Sequence, residues 1–426
     1  MQIAIIGGGF AGLTAAHELR SAGQQVTVFE AAPQLGGLAA GFKAPGWDWT
    51  LEKFYHHIFT TDKAILQLAK AIGAEEMVFF NKQTTAFLCP EHGAHPVSIP
   101  GILTFPHLPV IDRLRYGLTL AQFKVRSDWR RLERTTAEKH LRRWSGDRAF
   151  KQYWEPLLAG KFGPYAGEVN AAWIWARVKS RSFQLGYFKG GFQAFANALG
   201  AHLERQGVTV HVGRPVQRVE QTGNGWSVQA KGETQHFDQV IVASAPAVLT
   251  RLVPALPHEY VASLQALPSM GAVVMVAALE RQLLTNGVYW YMPPKELFPY
   301  LALVEHTNMI GAEHYGGDRL IYCGDYLPAD HRYFAMPEDE VKHEWLASLP
   351  RANPDFRPEW VKQTWLFRER YAQPVVPINH SHNIPALRTP LPGLCFASLA
   401  HVYPWDRGTN FAVELGQRVA REVLQG

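Results

Sequence analysis

Gly7, Gly9 and Gly12 stand between two short apolar runs, and this arrangement limits the possible folds more than any other feature of the chain. Gln2–Ile6 (QIAII) is rich in Ile and suits a strand buried on both faces of a parallel sheet. Phe10–Ser21 follows as a helix with Leu13, Ala16 and Leu19 at helical spacing, Gly23 stops it, and Gln25–Phe29 (QVTVF) reads as the next strand. In this G-x-G-x-x-G, Gly7 permits the tight turn, Gly9 lets a pyrophosphate approach the backbone, and Gly12 lets the helix lie against the sheet. Phe10 and Ala11 open the helix, where free N–H groups and the positive end of the dipole suit phosphates. Glu30 ends the second strand eighteen residues after Gly12, with Ala31 beside it, close to the place of an acid that hydrogen-bonds a ribose. A carboxylate there repels a 2′-phosphate, which disfavours NADP.

Gly36 and Gly37, in PQLGGL, come six residues after Glu30. A nicotinamide-binding domain normally runs on into another βαβ unit, whereas this chain enters a loop holding Gly41, Gly46, Trp47 and Trp49. A second close backbone approach, with Leu38 directly after it, implies a longer ligand than NAD, with a flavin beyond the pyrophosphate. The expected cofactor is FAD.

These residues together resemble the N-terminal part of the FAD-dependent amine oxidase, protoporphyrinogen oxidase and phytoene desaturase superfamily, which includes the UDP-galactopyranose mutases. The likeness continues in Gly207–Glu220 (GVTVHVGRPVQRVE), Phe237–Pro246 (FDQVIVASAP) and Gly393–Ser398 (GLCFAS). It implies an adenine contact at Val216. It also implies that the Phe411–Leu424 helix aims its N-terminus at the flavin, with Asp406, Gly408, Thr409 and Asn410 of YPWDRGTN as cofactor contacts. Trp154–Gly163 (WEPLLAGKFG) and Gly186–Phe195 (GYFKGGFQAF) resemble bacterial protoporphyrinogen-oxidase-like members. The implied fold class is α/β: a Rossmann-type FAD-binding domain from 1–80, 190–250 and 388–426, with an inserted mixed α+β substrate domain from 81–189 and 251–387.

The rest of the chain agrees with a globular enzyme. It has 426 residues, 47% of them apolar and 19% charged, which excludes a disordered chain, a collagen and a coiled coil. Cys89, Cys323 and Cys395 are odd in number and far apart, so reduced thiols are expected, with neither disulfides nor a metal site. Ile3–Leu13, the longest apolar stretch, falls short of the ~18 residues a membrane span needs, and no basic leader precedes it. A cytoplasmic protein is expected. No Ser-His-Asp, zinc or P-loop pattern is present.

Side-chain candidates for chemistry are few, because a flavin carries most of the reaction itself. His56 and His57 lie in FYHHIFTTD, and the run from His57 to Thr61 resembles the segment that brings a histidine to the flavin of the mutases. Either is read as a base or hydrogen-bond partner. Arg370, with Arg368, is a candidate for an anionic group, and Tyr289–Tyr291 for a pocket wall. The resemblance implies a dehydrogenase, desaturase or oxidase that moves a hydride to flavin N5 from a largely apolar substrate of isoprenoid, lipid-like or tetrapyrrole type. The alternative is an isomerase that uses reduced flavin without net redox.

Charge adds one further expectation. Arg113–Lys151 holds twelve Lys/Arg against four Asp/Glu in a chain of net charge +5. This stretch reads either as solvated helices or as a peripheral contact with anionic lipid. No motif supports nucleic-acid binding.

Overall fold

The structure, a computed structural model, describes residues 1–89, 93–98, 101, 108–182 and 184–425. The side chain of Cys89, and with it the expected thiol there, lies outside the described residues.

The first strand, Gln2–Ile6, sits in the middle of a five-stranded parallel sheet ordered Thr209–His211, Gln25–Phe29, Gln2–Ile6, Gln239–Val242, Leu394–Phe396. Ile3, Ile5, Val28, Val240 and Ile241 are fully buried, as a two-faced parallel sheet demands. The expected first helix forms at Phe10–Ser21, and the C-terminal helix, Thr409–Leu424, lies against it. Gly416 permits that approach, since a Cβ there would stand 2.4 Å from the Ala11 carbonyl oxygen. An antiparallel meander of Val216–Thr222, Gly225–Ala230 and Glu233–Phe237 covers part of the sheet with Val219, Trp226 and Val228.

The second layer is a seven-stranded mixed sheet ordered Val361–Pro374, Ser269–Leu279, Arg319–Pro328, Ala302–Glu305, Trp290–Met292, Thr85–Cys89, Gly93–Pro96. Its neighbours are antiparallel except for the parallel pair Trp290–Met292 and Thr85–Cys89. Ser269–Leu279 is the apolar run GAVVMVAAL of the sequence, paired on both sides and buried along nearly its whole length. Helices Val110–Val125, Ala137–Ser145, Glu155–Phe162 and Ala171–Ser180 pack at one end of this sheet.

All five strands of the parallel sheet come from 1–80, 190–250 and 388–426, and all seven of the mixed sheet from 81–189 and 251–387. The boundary at 80 cuts through a strand, however. Val78–Lys82 pairs with Gln184–Phe188, which also pairs with Ile58–Phe59. Apolar alternation in this short sheet gives no break at 80, so hydrogen bonding rather than composition sets the border.

Candidate active site

The glycine motif has the geometry its spacing implies. Gly7 has a φ of 118°, and a Cβ on it would stand 2.3 Å from the Ala243 carbonyl oxygen; one on Gly12 would stand 2.0 Å from that of Gly7. Gly36, with φ 114°, bridges to Gly9, and the backbones of Gly9 and Gly37 face each other so closely that a Cβ on Gly37 would meet the Gly9 Cα at 3.1 Å. The first helix has neither a side-chain cap nor an acid in its first turn, so its leading N–H groups are unclaimed by side chains. The Thr409–Leu424 helix likewise has no side-chain cap and no acid there, and Thr409 Oγ1 is buried without a partner. Two glycine-lined backbones, two uncapped helix starts and an unpartnered buried hydroxyl fit an extended dinucleotide with anionic groups.

Other candidates for this ligand fall into distinct situations. Glu30 accepts hydrogen bonds from the N–H groups of Gly8, at 2.6 Å, and Ala32, at 2.7 Å. The N–H groups of Gly213 and Arg214 donate to the carbonyls of Ala32 and Glu30, which draws the strand carrying Val216 alongside. The Phe10 ring stacks on Phe195, so only its backbone faces the motif. The Asn410 side chain is committed elsewhere: Oδ1 accepts from Ile65 N–H at 3.2 Å and Nδ2 donates to Glu414 at 2.9 Å.

Beyond Leu38, the two layers meet around a narrow cavity of about 20 Å³ lined by Leu38, Phe54, Tyr55, His56, Ala272, Val274, Tyr326, Ala372 and Arg407. The Phe54–His57 segment is held from below by Glu52, a residue the sequence reading passed over. Its carboxyl accepts from Phe192 N–H at 2.7 Å and from the Tyr187 hydroxyl, while its carbonyl accepts from Tyr322 at 2.8 Å. Burial pushes the Glu52 carboxyl up to about 7, against the pull of those bonds.

His56 places Nδ1 2.5 Å from the Phe54 carbonyl oxygen. A carbonyl only accepts, so Nδ1 carries the proton and Nε2 is the lone-pair nitrogen of the neutral ring. Burial, helped by Arg407, pulls His56 down to about 4. Burial also pulls His57 down to about 3, with Arg181, His56, Arg177 and Arg407 adding to the effect, and its Nδ1 has no partner. Both rings are neutral at physiological pH and are weak bases there. Of the two roles expected for this pair, hydrogen bonding fits the electrostatics. Trp290 packs edge-on against Tyr55, while Tyr289 and Tyr291 are buried in the core.

Arg370 lies away from this cavity, which corrects its place among the catalytic candidates. It is exposed, donates to the Ala329 carbonyl and sits over the Phe334 ring. Arg368 is likewise spent on the carbonyls of Tyr333 and Met336, at 2.7 and 2.6 Å. A register shift between Glu369 and Gln373 separates Arg368 and Arg370 from Ala372, which lines the cavity wall.

The cations at the cavity come from elsewhere. Asp406, expected as a cofactor contact, is a counterion: it accepts from Trp173 Nε1 and Arg177, both at 3.1 Å, and lies 4.0 Å from Lys161 Nζ. Burial opposes its charge, but Lys161 and Arg177 outweigh that and hold its carboxyl below the ordinary range. Lys161 and Arg407 lie over the Tyr326 ring, 4.2 and 4.9 Å from its centroid. Arg407 Nε also donates to Gln373 at 3.2 Å. Arg181 lies one helical turn after Arg177; it is exposed, its carbonyl accepts from Lys124 at 2.7 Å, and its guanidinium has no hydrogen-bond or ion-pair partner among the described residues. Burial lowers Lys161 well below its usual value and Arg407 to about 10. The available signal was positional: Arg177 directly follows Ala171–Ala176, a run buried at every residue, so an arginine there has little access to water.

A wider groove of about 430 Å³, lined by residues including Trp49, Phe79, Lys189 and His314, involves neither the glycine motif nor the C-terminal helix. Among the described residues no group of His, Cys, Asp and Glu is arranged to hold a metal, and no helix is long and apolar enough to cross a membrane.

Comparison with known proteins adds sequence and fold evidence. The family described as flavin containing amine oxidoreductase matches residues 10–424. The L-amino acid oxidase Cdc18 of Crotalus durissus cumanensis is 30% identical over 130 residues, 30% of this chain. That match spans only 25% of the oxidase's own length. Among solved structures, a protoporphyrinogen oxidase candidate from Exiguobacterium sp. 255-15 superposes with a TM-score of 0.78 at 17% identity, covering 100% of this chain and 99% of the other. Reduced UDP-galactopyranose mutase gives 0.77 at 15% identity, covering 100% and 95%. Likeness at these identities speaks for the fold alone, and it is as strong for the mutase as for the oxidase candidate.

Proposed function

Because the chain belongs to the family of flavin containing amine oxidoreductases, we propose that this FAD-dependent oxidoreductase takes a hydride from a largely apolar substrate that binds where the two layers meet beyond Leu38. The observation that carries the reading is the lining itself. Phe54, Tyr55, Ala272, Val274, Tyr326 and Ala372 offer carbon surface between the two layers. None of the side chains lining the cavity titrates close to neutral pH: burial pulls His56 down to about 4 and pushes the Tyr55 hydroxyl up. A wall of this kind orients a substrate and excludes water; it supplies no strong base.

FAD supplies the hydride acceptor, the N5 position of its ring. The chain supplies the rest. Gly9 and Gly37 with the first helix would hold the pyrophosphate, Glu30 the ribose, and the start of the Thr409–Leu424 helix would stabilise negative charge on the reduced ring. His56, protonated at Nδ1, presents Nε2 as an acceptor to a substrate N–H or O–H.

The family match favours net oxidation over the mutase reading. The test is anaerobic mixing of purified FAD-loaded protein with isoprenoid, lipid-like and tetrapyrrole compounds. The proposal expects one class to bleach the flavin band in stoichiometric amount with an oxidised product. Turnover that demands prior reduction of the flavin and returns an isomer would overturn it.

A further inference from the structure

We infer that Lys161, Arg177, Arg181 and Arg407 form an oxyanion subsite at one end of the cavity, so that the molecule oxidised is an apolar body bearing a carboxylate or phosphate. This rests on the reading that the cavity receives the substrate. The argument is one of charge balance. Lys161, Arg177 and Arg407 gather around Tyr326 and Trp173, Arg181 follows Arg177 by one helical turn, and Asp406 is the one carboxylate that pairs with any of them among the described residues. Among Lys161, Arg177 and Arg407 a formal excess of two positive charges is left. Lys161 is 7% exposed and Arg177 17%, so water does little to offset it. Burying charge without a partner is costly, and a site that keeps such charge is suited to an anion that arrives with the ligand.

The placement agrees. Arg407 lines the cavity beside His56 and Tyr55, and Tyr326, under Lys161 and Arg407, is part of the same wall. The guanidinium of Arg181 carries five donors and no partner among the described residues. The FAD-binding features are separate: glycine backbones and helix starts serve the dinucleotide phosphates without a basic side chain.

The test uses FAD-loaded protein titrated with hexyl phosphate, hexanoate and hexanol. Binding is read from tryptophan fluorescence, since Trp173 hydrogen-bonds Asp406, and from the flavin spectrum. At least one anion should bind roughly tenfold to a hundredfold more tightly than hexanol, the range of one or two hydrogen bonds to a charged group. Arg181→Gln, at an unpaired side chain that the fold does not use, should erase most of that preference. The two anionic arms decide between carboxylate and phosphate. Hexanol binding as tightly as either anion, or an undiminished preference in Arg181→Gln, overturns the subsite. Protein that is bleached by an uncharged substrate and ignores anions overturns this inference alone. Protein that prefers anions while its flavin responds to no substrate retains the subsite and loses the oxidoreductase reading of the cavity.

A different observation carries a second proposal. Of the twelve large apolar side chains exposed among the described residues, five (Val110, Ile111, Leu114, Leu118 and Val125) lie on the Val110–Val125 helix, and Trp144 lies next to it. Ile111, Leu114, Leu118, Ala121 and Val125 form one stripe at helical spacing, opposite the buried Asp112, Tyr116, Thr119 and Phe123. Exposed Arg130, Arg131, Arg134, Lys139 and Arg143 lie on the segments around it. Part of the basic excess is spent internally, as Arg142 pairs with Glu138 and Asp147, and Arg115 with the carbonyls of Arg143 and Trp144.

An apolar stripe with a basic surround matches the surface of an anionic bilayer. The geometry points to docking of this helix on such a membrane. Lys124, at the end of the stripe, donates to the Arg181 carbonyl at 2.7 Å, which connects the docked face to the cationic end of the cavity. Co-sedimentation with phosphatidylglycerol vesicles at low salt should succeed, and should fail with phosphatidylcholine, at high salt, and for Leu114→Asp/Leu118→Asp with FAD content unchanged. Wild-type protein that stays in the supernatant, or a dimer in solution that the double variant dissolves, overturns the proposal.

Discussion

Replacing Asp406 by Asn removes one charge and almost no volume. The new side chain keeps an oxygen for Trp173 Nε1, so the loss falls on Arg177 at 3.1 Å and Lys161 at 4.0 Å. Asp406, Arg177 and Lys161 are 15%, 17% and 7% exposed, which makes this a buried group. Removing one partner from a buried ion pair costs about 3–5 kcal/mol. Lys161 can shed its proton, being already held well below its usual value, but Arg177 stays charged; the lower end of that range, about 3 kcal/mol, is expected. With a denaturant slope of about 3 kcal/mol per molar, the urea midpoint of the transition seen by tryptophan fluorescence should fall by about 1 M. Asp147→Asn is the control, because Asp147 binds Arg142 while 76% exposed and should cost under about 1 kcal/mol. If the two variants unfold at the same urea concentration, water rather than Asp406 balances the cations, and the charge argument behind the oxyanion subsite fails with it.

Three other outcomes follow from the geometry. Gly9→Glu should yield protein without flavin after purification, measured by the absorbance of FAD released on heating, because a charged side chain would enter the space facing Gly37. Glu30→Ala should weaken FAD by about 1–3 kcal/mol in equilibrium dialysis while leaving the flavin spectrum almost unchanged, since the ribose that Glu30 is proposed to bind is remote from the flavin ring. Glu305 is fully buried, with Oε1 bonded to Leu284 N–H and Oε2 unpartnered, and burial pushes its carboxyl from 4.5 up to about 8. Its folded form therefore holds a proton that the unfolded chain releases, so this contribution is complete below pH 4.5 and is lost as pH rises toward 8. Relative to Glu305→Gln, wild-type stability should drop by about 1.4 kcal/mol per pH unit across that window in parallel urea titrations, and parallel curves would refute the assignment.

What the sequence revealed and what it hid divide along a physical line. The Gln2–Ile6 strand, the Phe10–Ser21 helix and the Gln25–Phe29 strand were readable to the residue, because local periodicity and three glycines with steric duties determine them together. The C-terminal helix began two residues before its expected start, at Thr409. Side-chain assignments fared differently, because they depend on what folds against them. Arg370 and Asp406 were singled out by their neighbours in sequence, yet one turned to the surface and the other was neutralised by residues more than two hundred positions earlier. Lys161 sits in WEPLLAGKFG with nothing in that run to mark it, and Arg177 and Arg181 fall outside the basic stretch Arg113–Lys151. Summed charge cannot tell an arginine in water from one in a cavity. The exposed stripe of Val110–Val125 was hidden for the converse reason: an amphipathic pattern shows that a helix has two faces, and Asp112 and Tyr116 turned out to occupy the inner one.

The parallel sheet also sets an order in time. Its last strand, Leu394–Phe396, and the helix from Thr409 leave the ribosome after the whole mixed sheet has been made, though they pair with Gln239–Val242 and pack on Phe10–Ser21. A nascent chain that has reached residue 387 can finish the seven-stranded layer, while Gln239–Val242 remains an open edge. With the cofactor at both helix starts, as proposed, its capture would wait for the late segment, and loading with flavin would double as a checkpoint on synthesis. In a cell, chains interrupted in this stretch would be colourless and expose an unpaired strand, a form that proteases and chaperones are equipped to remove.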